Sequence, residues 1–566
     1  MVRKFFSLLL PKNSKRRVFA RRMLVKIGFM PPIAPGYYDT LYQQAHQHVT
    51  PVTKYKEKSS PLISIIVPAY NTKQRYIDEL VYSVVAQTYT QWELVLVNAS
   101  TDAERSSALH ELGVRDSRIR VIETENMGIS GNTNIGIENA NGEYIAFSDH
   151  DDVLDPSALQ EVATTISQQD ADVIYTDEDK ITDNSEIYYD PHFKPDWNPD
   201  LFTHVNYINH LTVVRKTLLI EVGLLNPKRD GAQDYDLLLR VFDKQPKVAH
   251  IAKVLYHWRA ADGSTARDFS LKSNVADAAS EALREHFARV KTNVTVKPKQ
   301  NKPGFYSLQF EPYENIAIII LPFASDATLR LYNEILVKRT RFSRTTQLIV
   351  PKGTAPRFDT KNLSVISLTV DSDYLTKALT RVKGEVTICI GTIAFPERKE
   401  WLQEYPATLR LKHVNAVSPL LLLDGNIIDE CGLIRYNDGF LSLFRNQIAT
   451  NNQTFFGNTD WVRNVDRLTG NVMAVRTKEF RKYLNTTPHT NYGEQACNYA
   501  VEGKYNLVYA DERFNRQSIR LGPAHTQTSF FNKNIDPYGD GYALYMAESA
   551  AVNVMMHIAE GEGIDL

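Results

Sequence analysis

Leu62-Ile63-Ser64-Ile65-Ile66-Val67, followed by Pro68-Ala69-Tyr70-Asn71, decides how this chain folds. A continuous apolar run rich in β-branched residues reads as a strand buried on both faces. A helical pattern carrying Ile77, Leu80, Val84 and Val85 comes next. The strand signal then returns at Leu94-Val95-Leu96-Val97, at Ile119 to Ile122 and at Tyr144 to Ser148. Apolar strands alternating with helices predict a parallel sheet covered on both faces, and such sheets bind ligands beyond the carboxyl ends of their strands. The turn after the first strand also excludes one class. It lacks the glycine triplet that lets the pyrophosphate of a nicotinamide cofactor approach the backbone, and no Gly-Lys-Ser/Thr phosphate loop is present. A nucleotide held on this sheet needs its diphosphate neutralised in another way.

The fourth strand supplies one. Tyr144-Ile145-Ala146-Phe147-Ser148 runs into Asp149-His150-Asp151-Asp152, three carboxylates in four residues where a buried strand emerges. Mg²⁺ and Mn²⁺ favour oxygen ligands, and Mg²⁺ usually takes one or two carboxylates and leaves its other positions to water and phosphate oxygens. The alternative reading is a helix cap, for which Asp155 before Pro156 is suited. Capping needs one carboxylate, and three more precede this one.

At 566 residues the chain exceeds what one core normally supports, which predicts two or three domains. A formal net charge of -1 gives no overall attraction to nucleic acid. Three scattered cysteines, Cys389, Cys431 and Cys497, have no metal-ligand spacing and suit a reducing, cytoplasmic setting. Charge is uneven only at the N-terminus, where Arg3, Lys4, Lys12, Lys15, Arg16, Arg17, Arg21, Arg22 and Lys26 precede the first acid, Asp39. Mixed with Phe5, Phe6, Leu8 to Leu10 and Phe19, they describe either a peripheral contact with an anionic membrane or a solvated basic extension. The Phe5 to Leu10 run is too short to span a bilayer.

A second series of strand signals begins at Asn315 to Ile320 and continues at Gln347 to Val350 and Glu385 to Ile390. It reads as a worn repeat, with Gly391-Thr392-Ile393-Ala394 in place of the carboxylates. Three further groups stand downstream of the cluster in the first half. Asp234 precedes an apolar helical run, Val254 to Arg259 is a strand carrying His257, and Tyr175 to Lys180 reads as a charged, solvated turn.

Taken in order, these elements resemble the inverting glycosyltransferases of family 2, which have the GT-A fold, a Rossmann-like mixed sheet flanked by helices. The resemblance covers about Pro61 to Ala266. It rests on the Pro-x-Tyr-Asn turn, the loops at Asn98 to Asp102 and Asn126 to Gly128, Asp149-x-Asp151, and Asp234 before its helix. The runs Asp177-Glu178-Asp179-Lys180, Phe193 to Trp197, Asn209-His210-Leu211, His257-Trp258-Arg259 and Gly263-Ser264-Thr265 resemble a rhamnosyltransferase-like branch that builds bacterial cell-surface polysaccharides.

The resemblance implies Mn²⁺ or Mg²⁺ on Asp149 and Asp151 with His257 as a further ligand, and Asp234 as catalytic base. It also implies a UDP- or dTDP-linked sugar donor, contacted by Pro68, Tyr70, Asn98, Gly128, Asn134 and Asp149. Asn98 stands where relatives usually carry Asp to accept the N3–H of uracil or thymine. Asp196 and Trp197 are placed toward the acceptor, a glycan or lipid-linked glycan. The implied organisation is an N-terminal extension (1–60), a catalytic domain (61–300) and a degenerate GT-A-like domain (301–566) serving acceptor binding, membrane docking or assembly. In the second domain Gln495 or Gly493 stands where a base is expected. The whole reads as a cytoplasmic enzyme at the inner face of the plasma membrane. Its rivals are a nucleotide-sugar-binding pseudoenzyme that scaffolds a partner and a metal-dependent nucleotidyltransferase.

Overall fold

A computed structural model describes residues 60–516, apart from 261–274, 301, 358–359, 424–425, 437–438, 443–448, 450–452, 455–456, 459–460, 487–498 and 500–504. The basic N-terminal segment, Gly263 to Thr265 and Tyr492 to Gln495 therefore lie outside the described residues.

The first sheet begins with β1 (Ile63–Ala69), β2 (Trp92–Asn98), β3 (Ile119–Glu123) and β4 (Tyr144–Phe147), parallel in the order β3-β2-β1-β4. Three helices connect them: α1 (Gln74–Val85), α2 (Ala103–Arg115) and α3 (Gly128–Asn139). Ile63, Ile65, Ile66 and Val67 are all fully buried, as a strand covered on both faces requires. At Gly136 of α3 an added Cβ would lie 2.5 Å from a methyl of Ile66, so only glycine lets this helix approach β1 so closely.

Beyond β4 the sheet turns antiparallel. Added are β5 (Val153–Leu154), β6 (Val173–Thr182), β7 (Tyr188–His192), β8 (Thr212–Arg215) and β9 (Val248–Ala260). The order runs on as β4-β8-β6-β9-β5, with β7 paired to β6. Only the pair β6 and β9 is parallel here. The fold is thus the expected mixed α/β sheet of GT-A type, with the parallel half leading to the carboxylates.

Tyr175 to Lys180 is not a solvated turn but the middle of β6, with Asp177 and Asp179 fully buried. Each acid has a buried partner. Asp177 meets His250 at 2.9 Å, Glu178 meets Lys194 at 2.9 Å, and Asp179 meets His257 at 2.6 Å. Buried charges persist when paired in this way, and the partners lie far downstream in sequence.

The second sheet repeats the first, strand for strand. Its order is Leu363–Leu368, Thr345–Pro351, Asn315–Ile320, Val386–Ile390, Val472–Arg476, Val414–Leu423, Tyr505–Arg516 and Ala394–Pro396. The first four are parallel, the next two antiparallel, and the parallel and antiparallel pairs that follow match those of the first sheet. Gly391 to Ile393 occupies the position of Ser148 to Asp152. One hydrophobic core runs through both halves, joining Ile66 and Leu237 to Ile318 and Val472. A hairpin of Val294–Pro298 and Tyr306–Phe310 crosses the expected boundary at 300.

Candidate active site

At the carboxyl ends of β1 and β4 lies a cavity of about 670 Å³, within the size range of small-molecule sites. Its lining includes Pro68, Phe147, Ser148 and Asp149, then Asn206, His210 and Asp234, and Phe305, Tyr306 and Trp461.

Asp149 is fixed from behind. Its backbone N–H donates to the Tyr256 hydroxyl at 3.1 Å, and that hydroxyl donates to Asp152 Oδ2 at 2.5 Å. Asp152 is fully buried and also accepts the Arg259 backbone N–H at 2.7 Å, so its role is support. Arg259, itself fully buried, holds the Asp151 carbonyl through Nε and reaches Glu79 on α1 at 2.6 Å. Burial and the neighbouring Asp149 charge push the Asp151 carboxyl up, against the opposing His150 imidazole.

Asp234 sits in the first turn of α4 (Gln233–Phe242), where the helix terminus favours an acid. Asn206 Nδ2 donates to its Oδ2 at 3.0 Å. Burial raises its carboxyl above the ordinary range, opposed by the Tyr235 backbone N–H and the His210 imidazole. A base moved up toward neutrality is better matched to accepting a proton. His210 acts on both acids. Its Nε2 is 3.6 Å from Asp149 Oδ2, and its ring stacks on Tyr256 with centroids 4.8 Å apart. The sequence motif included His210 without giving it a task, and Asn206 and Lys194 had no signal apart from lying in or beside quoted runs.

Asp149 and Asp151 carry the oxygen donors that a hard divalent cation favours; of the two, Asp149 is in the cavity lining, and burial is what chiefly raises Asp151. Among the described residues no three His, Cys, Asp or Glu side chains are grouped so that they could hold a metal ion by themselves.

His257 is not gathered with these acids. Its neighbour Trp258 and its partner Asp179 line the cavity. His257 itself meets Asp179 at 2.6 Å and packs edge-on against Tyr188.

Other expected contacts are also redirected. Asn98 is fully buried; its amide donates to Ser106 and to both Glu123 oxygens, and its carbonyl accepts the Ser100 N–H at 3.1 Å. Asn134 exchanges two hydrogen bonds with the Leu225 backbone, both 2.9 Å, and so ties α3 to the loop after the helix Lys216–Val222. Gly128 starts α3 at φ +76°, with Asp230 against it and bonded to Ser130. Pro68 lines the cavity, while Tyr70 is 46 % exposed beyond it. Trp197 stacks on Phe242 at 3.9 Å and Asp196 meets His250 at 3.2 Å, so neither faces the cavity. Nor does Asp155 cap its helix as expected. The helix Ala158–Gln169 starts after Ser157, and Asp155 instead accepts the Ser157 N–H and hydroxyl while Gln87 accepts the Leu159 N–H.

Residues 64–223 match the family described as Glycosyl transferase family 2. The chain is 34% identical to the uncharacterized protein y4gI of Sinorhizobium fredii, over 67% of this chain and 44% of that protein. It is 30% identical to the O-antigen biosynthesis protein RfbC of Myxococcus xanthus, over 82% of this chain and 38% of that protein. The chain therefore spans less than half the length of these relatives. Among solved structures, the S. aureus TarS fragment 1-349 with UDP-GlcNAc aligns at TM-score 0.31 and 20% identity, covering 40% of this chain and 72% of that one. The mannosyltransferase PcManGT of Pyrobaculum calidifontis, in complex with GDP-Man and Mn2+, aligns at TM-score 0.31 and 15% identity, covering 49% and 75%.

Proposed function

We propose that this chain, whose residues 64–223 match Glycosyl transferase family 2, transfers a sugar, with inversion, from a nucleotide-diphosphate donor to a hydroxyl of a growing cell-surface polysaccharide or lipid-linked glycan. The observation that carries this reading is that Asp149 and Asp234 line one cavity, with His210 in the same lining and its Nε2 3.6 Å from Asp149 Oδ2. A divalent cation held by Asp149 and Asp151 would neutralise the leaving diphosphate.

The chain's own residues do the rest. Asp234, oriented by Asn206, accepts the proton of the acceptor hydroxyl as its oxygen bonds to the anomeric carbon and the bond from that carbon to the phosphate oxygen breaks. His210 stands beside the phosphate-facing carboxylate and steadies the charge there. The similarity to an O-antigen biosynthesis protein supports a cell-envelope glycan as product. No helix among the described residues is long and apolar enough to cross a membrane, and membrane contact is assigned to the basic N-terminal segment.

The test is turnover. Purified protein with Mn²⁺ or Mg²⁺ is expected to transfer or slowly hydrolyse at least one common nucleotide sugar, and Asp234→Asn should reduce the rate by about 10²- to 10⁴-fold. No turnover of any donor, or full activity in Asp234→Asn, refutes the reading.

A further inference from the structure

Trp461 belongs to the second half of the chain, yet it lines the same cavity as Asp149 and Asp234. It is only 8% exposed, and its indole N–H is buried without a partner. Its ring lies 5.9 Å from both Phe305 and His192, centroid to centroid, and His192 Nε2 is likewise buried and unpartnered. Buried donors and acceptors are ordinarily satisfied, so two unpartnered ones on residues that line one cavity point to a ligand there.

The position of this wall indicates which ligand. Phe305 bridges to Val205, the residue before Asn206, and Asn206 holds Asp234. The aromatic residues are therefore linked through Val205 and Asn206 to Asp234. Aromatic rings beside polar ring nitrogens in one cavity lining suit a pyranose, whose C–H groups pack on aromatic carbon while its hydroxyls take hydrogen bonds.

The wall is also held rigidly. Three residues after Trp461, Asn464 exchanges backbone and amide hydrogen bonds with Asn198 at 3.0 and 3.2 Å. It also accepts the Asp200 N–H at 3.1 Å and donates to the Asp200 carboxylate. His413 meets Asp200 from the second half at 2.9 Å. Burial would raise the Asp200 carboxyl, but His413 and Asn464 outweigh it and hold it low.

We propose that Trp461, with Phe305 and His192, forms a binding subsite for the terminal pyranose of the acceptor glycan, so that the second half completes the site of the first. This rests on the glycosyl-transfer reading but is tested apart from it, because sugar binding is measured without turnover. The full chain with UDP and Mn²⁺ is titrated with the methyl glycosides of rhamnose, mannose, galactose and N-acetylglucosamine by saturation-transfer NMR. At least one should bind saturably, roughly tenfold more weakly to Trp461→Ala and Phe305→Ala, with part of the loss restored in Trp461→Phe. The rise in unfolding temperature on adding UDP and Mn²⁺ serves as the control for folding.

The proposal is overturned if none of the four glycosides binds the unaltered chain, if Trp461→Ala and Phe305→Ala bind as tightly as it does, or if the nucleotide response is lost along with sugar binding in both Trp461→Phe and Phe305→Ala. Sugar binding that depends on Trp461, in a chain that turns over no donor, would sink the catalytic reading and leave this subsite standing.

Discussion

Replacing Lys194 by Met tests the buried polar network under the site. The Lys194 ammonium is fully buried, lies 2.9 Å from Glu178 Oε2, and donates to the carbonyls of Ile208 and His210. Burial alone would raise Glu178, but Lys194 and then His192 outweigh it and bring the carboxyl down to about 2. Methionine fills much of the same volume but removes the charge and all three donations. Glu178 then keeps only the more distant His192, at 3.7 Å, and the His210 backbone N–H at 3.2 Å. Breaking one side of a buried pair costs about 3–5 kcal/mol. At ~2–4 °C per kcal/mol for a domain of this size, the unfolding midpoint should fall by roughly 6–20 °C.

The sign of the pH response follows. With Lys194 present, the folded Glu178 value lies below the unfolded 4.5, so its stabilisation is present above 4.5 and lost as pH falls toward 2. Without Lys194 burial dominates and the folded value moves above 4.5, so the penalty grows as pH rises through that value. The variant should therefore lose less at acidic than at alkaline pH, and Glu178→Gln together with Lys194→Met should recover part of the loss. Urea denaturation at several pH values measures all of this. A loss below about 1 kcal/mol, the scale of an exposed pair, or a loss that does not change with pH, refutes the reasoning.

Two further outcomes are expected. Gly128→Ala forces a Cβ at φ +76° to within 2.7 Å of Asp230 Oδ2, and should cost about 1–2 kcal/mol, read as a small fall in melting temperature and weaker donor binding. For His250 burial acts downward, but Asp177 and then Asp196 carry the ring from 6.5 up to about 9. A raised imidazole stabilises fully below 6.5 and loses that contribution as pH rises through about 9, so the melting temperature should decline across that window in the natural chain and more shallowly in His250→Gln. Parallel declines in both would remove His250 as the cause.

The parallel half of the sheet was legible because β1 to β4 are apolar runs with polar breaks, and because Asp149 and Asp234 sit at strand and helix ends where sequence position implies exposure to a ligand. The worn repeat was legible for the same reason, since its strands keep their apolar runs. What escaped reading were side chains whose surroundings come from distant strands. Asp177, Glu178 and Asp179 look solvated until Lys194, His250 and His257 are folded against them. His257 was grouped with Asp149 and Asp151 because a motif fixes order along the chain but not which side chains meet, and in the fold it pairs with Asp179. Trp461 gave no signal, because its place in the site exists only once the two halves have packed together.

The clasp of Asn198 and Asp200 on Asn464 and His413 has a consequence for modularity. A fragment ending near residue 300 would keep the carboxylates but take from Asp200 and the Asn198 amide their partners Asn464 and His413, and would lack Ile318 and Val472 of the continuous core. The two halves are therefore not interchangeable cartridges. Exchanging the second half between homologous chains to alter what the first half works on would also require carrying over its matching surface at Asn198 to Val205.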